Sequence, residues 1–178
     1  MELTNHYGAD DTYQMWNNDL DSPMKTFARF VSVPTTARAG QLIPVTGLAQ
    51  VGISGLATVQ WYLHPAGAPL PPDDPHFARA PWRDAAILPP PEDWGGDLPE
   101  GRLPGTPPQF DPATGAPREW TPRYTIAHWS ATLPGNAPGR HDLRCRSIDR
   151  NGIAQPMPRP FPKSGQAEIQ KVALVVEC

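Results

Sequence analysis

Long apolar runs are missing from this sequence, and long stretches free of both proline and glycine are few, none exceeding 14 residues. The first absence excludes a transmembrane helix, which needs roughly 18 or more consecutive apolar residues. The second excludes most helix, because an interior proline removes a backbone hydrogen bond and an interior glycine carries a large entropic cost. Basic residues are in no excess: 15 Lys and Arg stand against 18 Asp and Glu. A nucleic-acid binder usually shows a basic face, so bulk nucleic-acid binding is not expected. Only 2 cysteines occur, Cys145 and Cys178. With no close spacing between them they match neither a zinc nor an iron–sulfur pattern. A disulfide between them would tie a chain end to a strand interior, and cysteine usage leaves the compartment open. The N-terminus, Met1 to Tyr7, has neither a basic region nor an apolar one, so no signal peptide is expected on this chain and localisation stays unassigned.

What the chain has in quantity is punctuation. Its 25 prolines and 15 glycines exceed a fifth of the 178 residues, which implies short strands joined by loops. Alternation of apolar and polar residues predicts strands over 26–33, 42–50, 56–64, 82–88, 123–132, 142–148 and 168–177. In the third, Ala57, Val59, Trp61 and Leu63 are expected to face inward and Thr58, Gln60 and Tyr62 outward. In the second, Ile43, Val45, Gly47 and Ala49 share a face. The last strand is apolar on both faces, with Val172, Leu174 and Val176 against Ala173 and Val175, and so calls for cover on both. About seven strands separated by turn signals, with no helical pattern, describe an all-β fold, an immunoglobulin-like (E-set) antiparallel β-sandwich. Trp61 falls where such domains bury a tryptophan, and Cys145, lacking a partner cysteine on the second strand, is expected to be a small buried apolar residue. The domain is expected over 22–178, with 1–21 as a preceding linker. A long Pro/Gly-rich insertion over 89–120, crowded with acidic residues, shows no period of its own.

Catalytic chemistry finds little to stand on. The five histidines, at 6, 64, 76, 128 and 141, form no i,i+2 or i,i+4 pair. His128 and Trp129 are neighbours, which in a strand places one inside and one outside. There is no nucleophile elbow and no phosphate-cradling glycine loop. No catalytic or metal-ligating residue is therefore assigned. One basic cluster stands out: Arg150, Arg159 and Lys163, around a proline-stiffened stretch that holds a cation at a fixed point at low entropic cost. That arrangement suits a small oxyanion, although a solvated basic loop has the same composition.

Three stretches, in order, carry a resemblance. Asp21-Ser-Pro-Met-Lys-Thr-Phe27, Pro81-Trp-Arg-Asp-Ala-Ala-Ile-Leu88 and the run from Gly139 to Pro156 resemble the C-terminal domain of sulfite oxidase and related molybdopterin-dependent oxidoreductases. The resemblance implies an Ig-like domain whose role is dimerisation, as a homodimer or with a molybdopterin-binding domain or subunit. It implies no cofactor bound by this chain, the molybdenum–molybdopterin group belonging to an upstream domain of which 1–21 resembles the tail. No membrane partner is expected, from the lack of a long apolar run. By itself such a chain is expected to lack redox activity. The resemblance also implies that Lys163, with Arg159, lends positive charge to an oxyanion substrate pocket, and that Tyr13 corresponds to an active-site tyrosine on the linker. Lysine at the position where animal enzymes carry arginine weakens the case for sulfite itself, since a point charge makes no bidentate contact. A stand-alone Ig-like binding or adhesion module is the alternative that the residues leave open.

Overall fold

The computed structural model describes residues 26–69, 72–74, 77–90, 92, 105, 108–135, 137–155 and 169–178. The described residues form an all-β structure of eight strands and contain no helix: β1 (Phe27–Ser32), β2 (Thr36–Arg38), β3 (Leu42–Gln50), β4 (Leu56–Pro65), β5 (Arg83–Ile87), β6 (Ile126–Pro134), β7 (Gly139–Asp149) and β8 (Lys171–Glu177). All eight join one sheet, in the order β1-β3-β6-β5-β4-β7-β8-β2, and every pairing is antiparallel except that of β2 with β8.

Strand β5 explains how two expected layers become one curled sheet. Its first residues pair with β4 (Arg83 with Trp61, Ala85 with Val59), and its last pair with β6 (Ala86 with Ser130, Ile87 with Trp129). Pro81 on one side and Pro89 and Pro90 on the other limit its length. The sheet then folds over so that its two ends share a core. Ala28, Ile43, Val45, Ala127 and Trp129 from one end meet Val59, Trp61, Leu143, Cys145, Leu174 and Val176 from the other. Burying such side chains is the main favourable term, roughly 1.5–3 kcal/mol for each large one.

Most inward positions follow from the period of two. In β3, Ile43, Val45, Gly47 and Ala49 point inward as expected, and in β6 Trp129 is fully buried while His128 is exposed. Pro44 sits past the last β1 pairing, at Thr46, so β3 has an open side there and a residue without an N–H is tolerated. Strand β4 departs from expectation at its start. Leu56 is buried and Ala57 exposed, because the β4–β7 register shifts between Leu56 and Thr58. The bulge adds one residue and turns the preceding side chains over.

Two further differences concern the connections. The three-residue β2 was not expected; its strand character comes only from pairing with Val175 to Glu177. Part of the long insertion has local order: Phe110 bridges Pro117 around a turn in which Asp111 Oδ1 accepts from the Ala113 and Thr114 N–H groups. Trp120, at its end, packs against the core and donates from Nε1 to the Leu88 carbonyl at 2.7 Å.

Both cysteines are free, Cys145 fully buried opposite Trp61 and Cys178 exposed. Burial pushes the Cys145 thiol far above its ordinary range, with Arg29 only partly opposing this, and thiols react as thiolates. A thiol reagent at mildly alkaline pH should therefore modify one cysteine in the native protein and both after denaturation. Rapid native labelling of both would contradict the packing.

Candidate functional site

The positions singled out from sequence fall on two sides of what is described. Tyr13, Arg159 and Lys163 lie outside the described residues. Arg150 is inside them, and it has structural employment: its guanidinium donates to Glu119 Oε2 and to the Thr121 carbonyl, each at 3.0 Å, tying the end of the insertion to the β7 turn. It is not poised for a ligand.

The most organised polar surface is elsewhere, on the outer face of β4 and β7. Antiparallel pairing sets Gln60 beside Arg146, Tyr62 beside Arg144 and His64 beside Asp142. The connection after β4 turns back over this face. Asp74 fixes the turn by accepting from the Ala78 and Arg79 N–H groups at 2.6 and 2.9 Å. Phe77 takes a left-handed conformation, φ 56°, and its carbonyl accepts from Trp82 Nε1 at 2.6 Å. These contacts bring two aromatic rings down onto two arginines.

The result is an interleaved stack. The Arg144 guanidinium lies 4.4 Å from the Phe77 centroid, and that of Arg146 lies 4.3 Å from the Trp82 ring. Tyr62 sits among them, stacked on His64 at 5.0 Å and tilted against Phe77 and Trp82. Partly desolvated cation–π contacts of this kind contribute about 1–2 kcal/mol each. Arg146 Nε donates to Gln60 Oε1, and Gln60 Nε2 donates to Asp84 Oδ1, both at 2.9 Å. Burial lowers the pKa of each arginine, opposed by Asp142 for Arg144 and by Asp74 for Arg146. Both remain cations, as arginine does in proteins.

His64 has its tautomer set by its neighbours. Arg144 Nε donates to His64 Nε2 at 3.1 Å, so that nitrogen is the acceptor, and Nδ1–H donates to the Pro65 carbonyl at 3.0 Å. Burial depresses its pKa below the ordinary 6.5, the Pro65 carbonyl opposing. Beside this stack an open cleft of about 400 Å³ is lined by Tyr62, His64, Pro69, Asp73, Phe77 and Arg79. Around it, Asp73 pairs with Arg79, and His64 is engaged by Arg144 and the Pro65 carbonyl.

Among the described residues, no group of three or more His, Cys, Asp and Glu is placed to hold a metal. Cys145, the one thiol within the fold, is sealed from solvent and held as a thiol. Sequence reasoning missed the arginine–aromatic stack. Its signal was the alternation of Gln60, Tyr62 and His64 on one strand and of Arg144 and Arg146 on another, which becomes a site only once the register is known.

No protein-family model matches the chain, and no curated protein is significantly similar to it. Among solved structures, one neighbour is AvmM, described as catalysing macrocyclization in alchivemycin A biosynthesis, at 13% identity and a TM-score of 0.37, over 86% of this chain and 89% of that one. Another belongs to the complex of zinc 2-glycoprotein and prolactin inducible protein from human seminal plasma, at 12% identity and a TM-score of 0.33, over 88% of this chain and 98% of that one. At such TM-scores neither likeness bears on what this chain does.

Proposed function

We propose that the chain is a non-catalytic association module, the C-terminal dimerisation domain of a sulfite-oxidase-like molybdopterin-dependent oxidoreductase. In this reading its strands make an immunoglobulin-like sandwich, and the redox chemistry belongs to a molybdopterin-binding domain or subunit. Lys163 and Arg159 contribute positive charge to that partner's oxyanion pocket, with Tyr13 beside it.

The observation that supports association is the uneven placement of charge on the two outer faces. The β7–β8 side carries Arg140, Asp142, Arg144, Arg146, Lys171 and Glu177. The β1–β3–β6 side carries only Arg29 and His128, and otherwise shows residues such as Leu42, Thr46, Leu48, Ile126 and Thr132. Leu42 is 73% exposed and Ile126 49%. Depletion of charge marks the centre of protein interfaces. A two-fold interface apposes a patch to its own copy, so like charges would meet. The β1–β3–β6 face tolerates that apposition and the arginine-bearing face does not, so in this reading the occupant is a second copy of this chain. The interface then lies away from the last strand, whose apolar second face had pointed to a second subunit or the cofactor domain there.

Sedimentation equilibrium tests the reading with two exposed positions, Thr46→Arg on β3 and Ala173→Arg on β8. Wild type is expected to dimerise, Thr46→Arg to weaken the dimer at least about tenfold, equivalent to about 1.4 kcal/mol, and Ala173→Arg to leave it intact. A wild-type chain that stays monomeric at all concentrations would overturn association and favour a stand-alone binding module. Stoichiometric molybdenum in the purified chain would overturn the placement of the cofactor elsewhere.

A further inference from the structure

The contact between His64 and the Phe77–Trp82 stretch has properties that packing alone does not require. His64 Nε2 accepts from Arg144 at 3.1 Å, and the same guanidinium lies against Phe77, whose ring is 5.6 Å from that of His64. One arginine therefore serves two neighbours, a histidine on the sheet and an aromatic ring from the overlying connection. We propose that His64 and Arg144 form a proton-operated latch: neutral His64 holds Arg144 under Phe77, and protonated His64 displaces it and loosens the Phe77–Trp82 stretch from the sheet.

The chemistry follows from donor and acceptor roles. Protonation replaces the Nε2 lone pair with an N–H, so two donors and two positive charges meet at hydrogen-bond distance. Turning the ring cannot restore an acceptor for Arg144, because both nitrogens of the protonated imidazole carry a hydrogen, and Nδ1–H already donates to the Pro65 carbonyl. Arg144 must then move, and its cation–π contact with Phe77 goes with it.

The surrounding charges set how readily this happens. On β7, Asp142 is the cross-strand neighbour of His64 and favours the cation. On β8, Lys171 lies 3.8 Å from Asp142 and offsets that attraction. From the overlying connection, Asp73 is paired with Arg79, and Asp74 is committed to the Ala78 and Arg79 N–H groups. Tyr62 covers one ring face. The unfolded or opened chain takes up its proton near the ordinary 6.5 while the closed one resists it. The closing free energy is therefore complete above about pH 6.5 and declines as pH falls toward the closed-state midpoint.

Hydrogen exchange on the full chain, corrected for intrinsic rates, tests this at the Ala78, Arg79 and Trp82 amides. Their protection is expected to fall about tenfold between about pH 7.5 and pH 5, while the β3–β6 amides keep theirs. His64→Gln, which keeps an acceptor for Arg144 but does not titrate, is expected to flatten the pH dependence. A pH dependence unchanged in His64→Gln would overturn the latch and assign the loosening to another titrating group. A His64 midpoint at or above 6.5 in the folded wild type, read from its imidazole proton shift, would overturn it independently of any variant.

Discussion

Gly47→Ala is expected to destabilise the protein by about 3 kcal/mol, the upper end of what overpacking costs. A methyl group at this position would lie 2.3 Å from the Arg29 carbonyl oxygen and 2.3–2.4 Å from the Trp129 ring. Backbone blocks it on one side. On the other is a fully buried indole that pairs across the ladder with Gly47 and meets Phe30 edge-on at 5.2 Å. Neither can yield without moving a strand. Trp129 is thus seated in a notch that only glycine leaves open, and its Nε1, buried without a hydrogen-bond partner, shows that shape dominates this seat. Urea unfolding measures the effect. A midpoint within about 0.3 M of wild type would correspond to less than about 1 kcal/mol and would refute the notch. Combining Gly47→Ala with Trp129→Leu is expected to cost less than the two separate losses together, because the smaller side chain vacates the contested space.

Gln155→Leu is expected to cost a similar amount for a different reason. Gln155 is 1% exposed, and its Oε1 accepts from the Ala28 N–H at 2.9 Å and the Ser147 N–H at 3.3 Å. It thereby pins the start of β1, at one end of the sheet, to β7 near the other end. Leucine conserves volume but leaves buried donors without this acceptor, at about 1–3 kcal/mol for each group. For a domain of this size a loss of about 3 kcal/mol lowers Tm by roughly 6–12 °C. Exchange should accelerate first at Ala28. A melting point unchanged by the substitution would show that the strand is held by packing alone.

Strand interiors could be read from residues because burial on one face imposes a period of two. Ile43, Val45 and Ala49 in β3 and Ala127 and Trp129 in β6 alternate cleanly, and Trp61 and Cys145 are each buried as expected. The bulge at Ala57 could not be read, since Leu56 and Ala57 are both apolar and only the pairing with Asp149 and Ile148 decides which one turns inward. Strand β2 was illegible for the same reason, its existence being a property of β8. The joining of the expected layers into one sheet through β5 depends on where a five-residue strand changes partners, and nothing in Arg83–Ile87 records that. The arginine–aromatic stack needed both a register and the left-handed Phe77, a conformation unusual for a bulky residue. The oxyanion-binding residues Tyr13, Arg159 and Lys163, implied by resemblance, fall outside the described residues and remain proposals.

The change of partners along β5 also governs how the chain reaches this state. β3 and β4 follow each other in sequence yet do not pair; β3 waits for β6 and β4 for β7. A chain emerging from the ribosome at roughly 5–20 residues per second presents β3 for several seconds before Pro134 is out. Through that interval its core-facing row of Ile43, Val45 and Ala49 has only β1 beside it. Such non-local pairing makes for slow folding, and an unpaired apolar strand is the place where another chain can add itself. For the nascent protein, the hazard is greatest before β6 arrives.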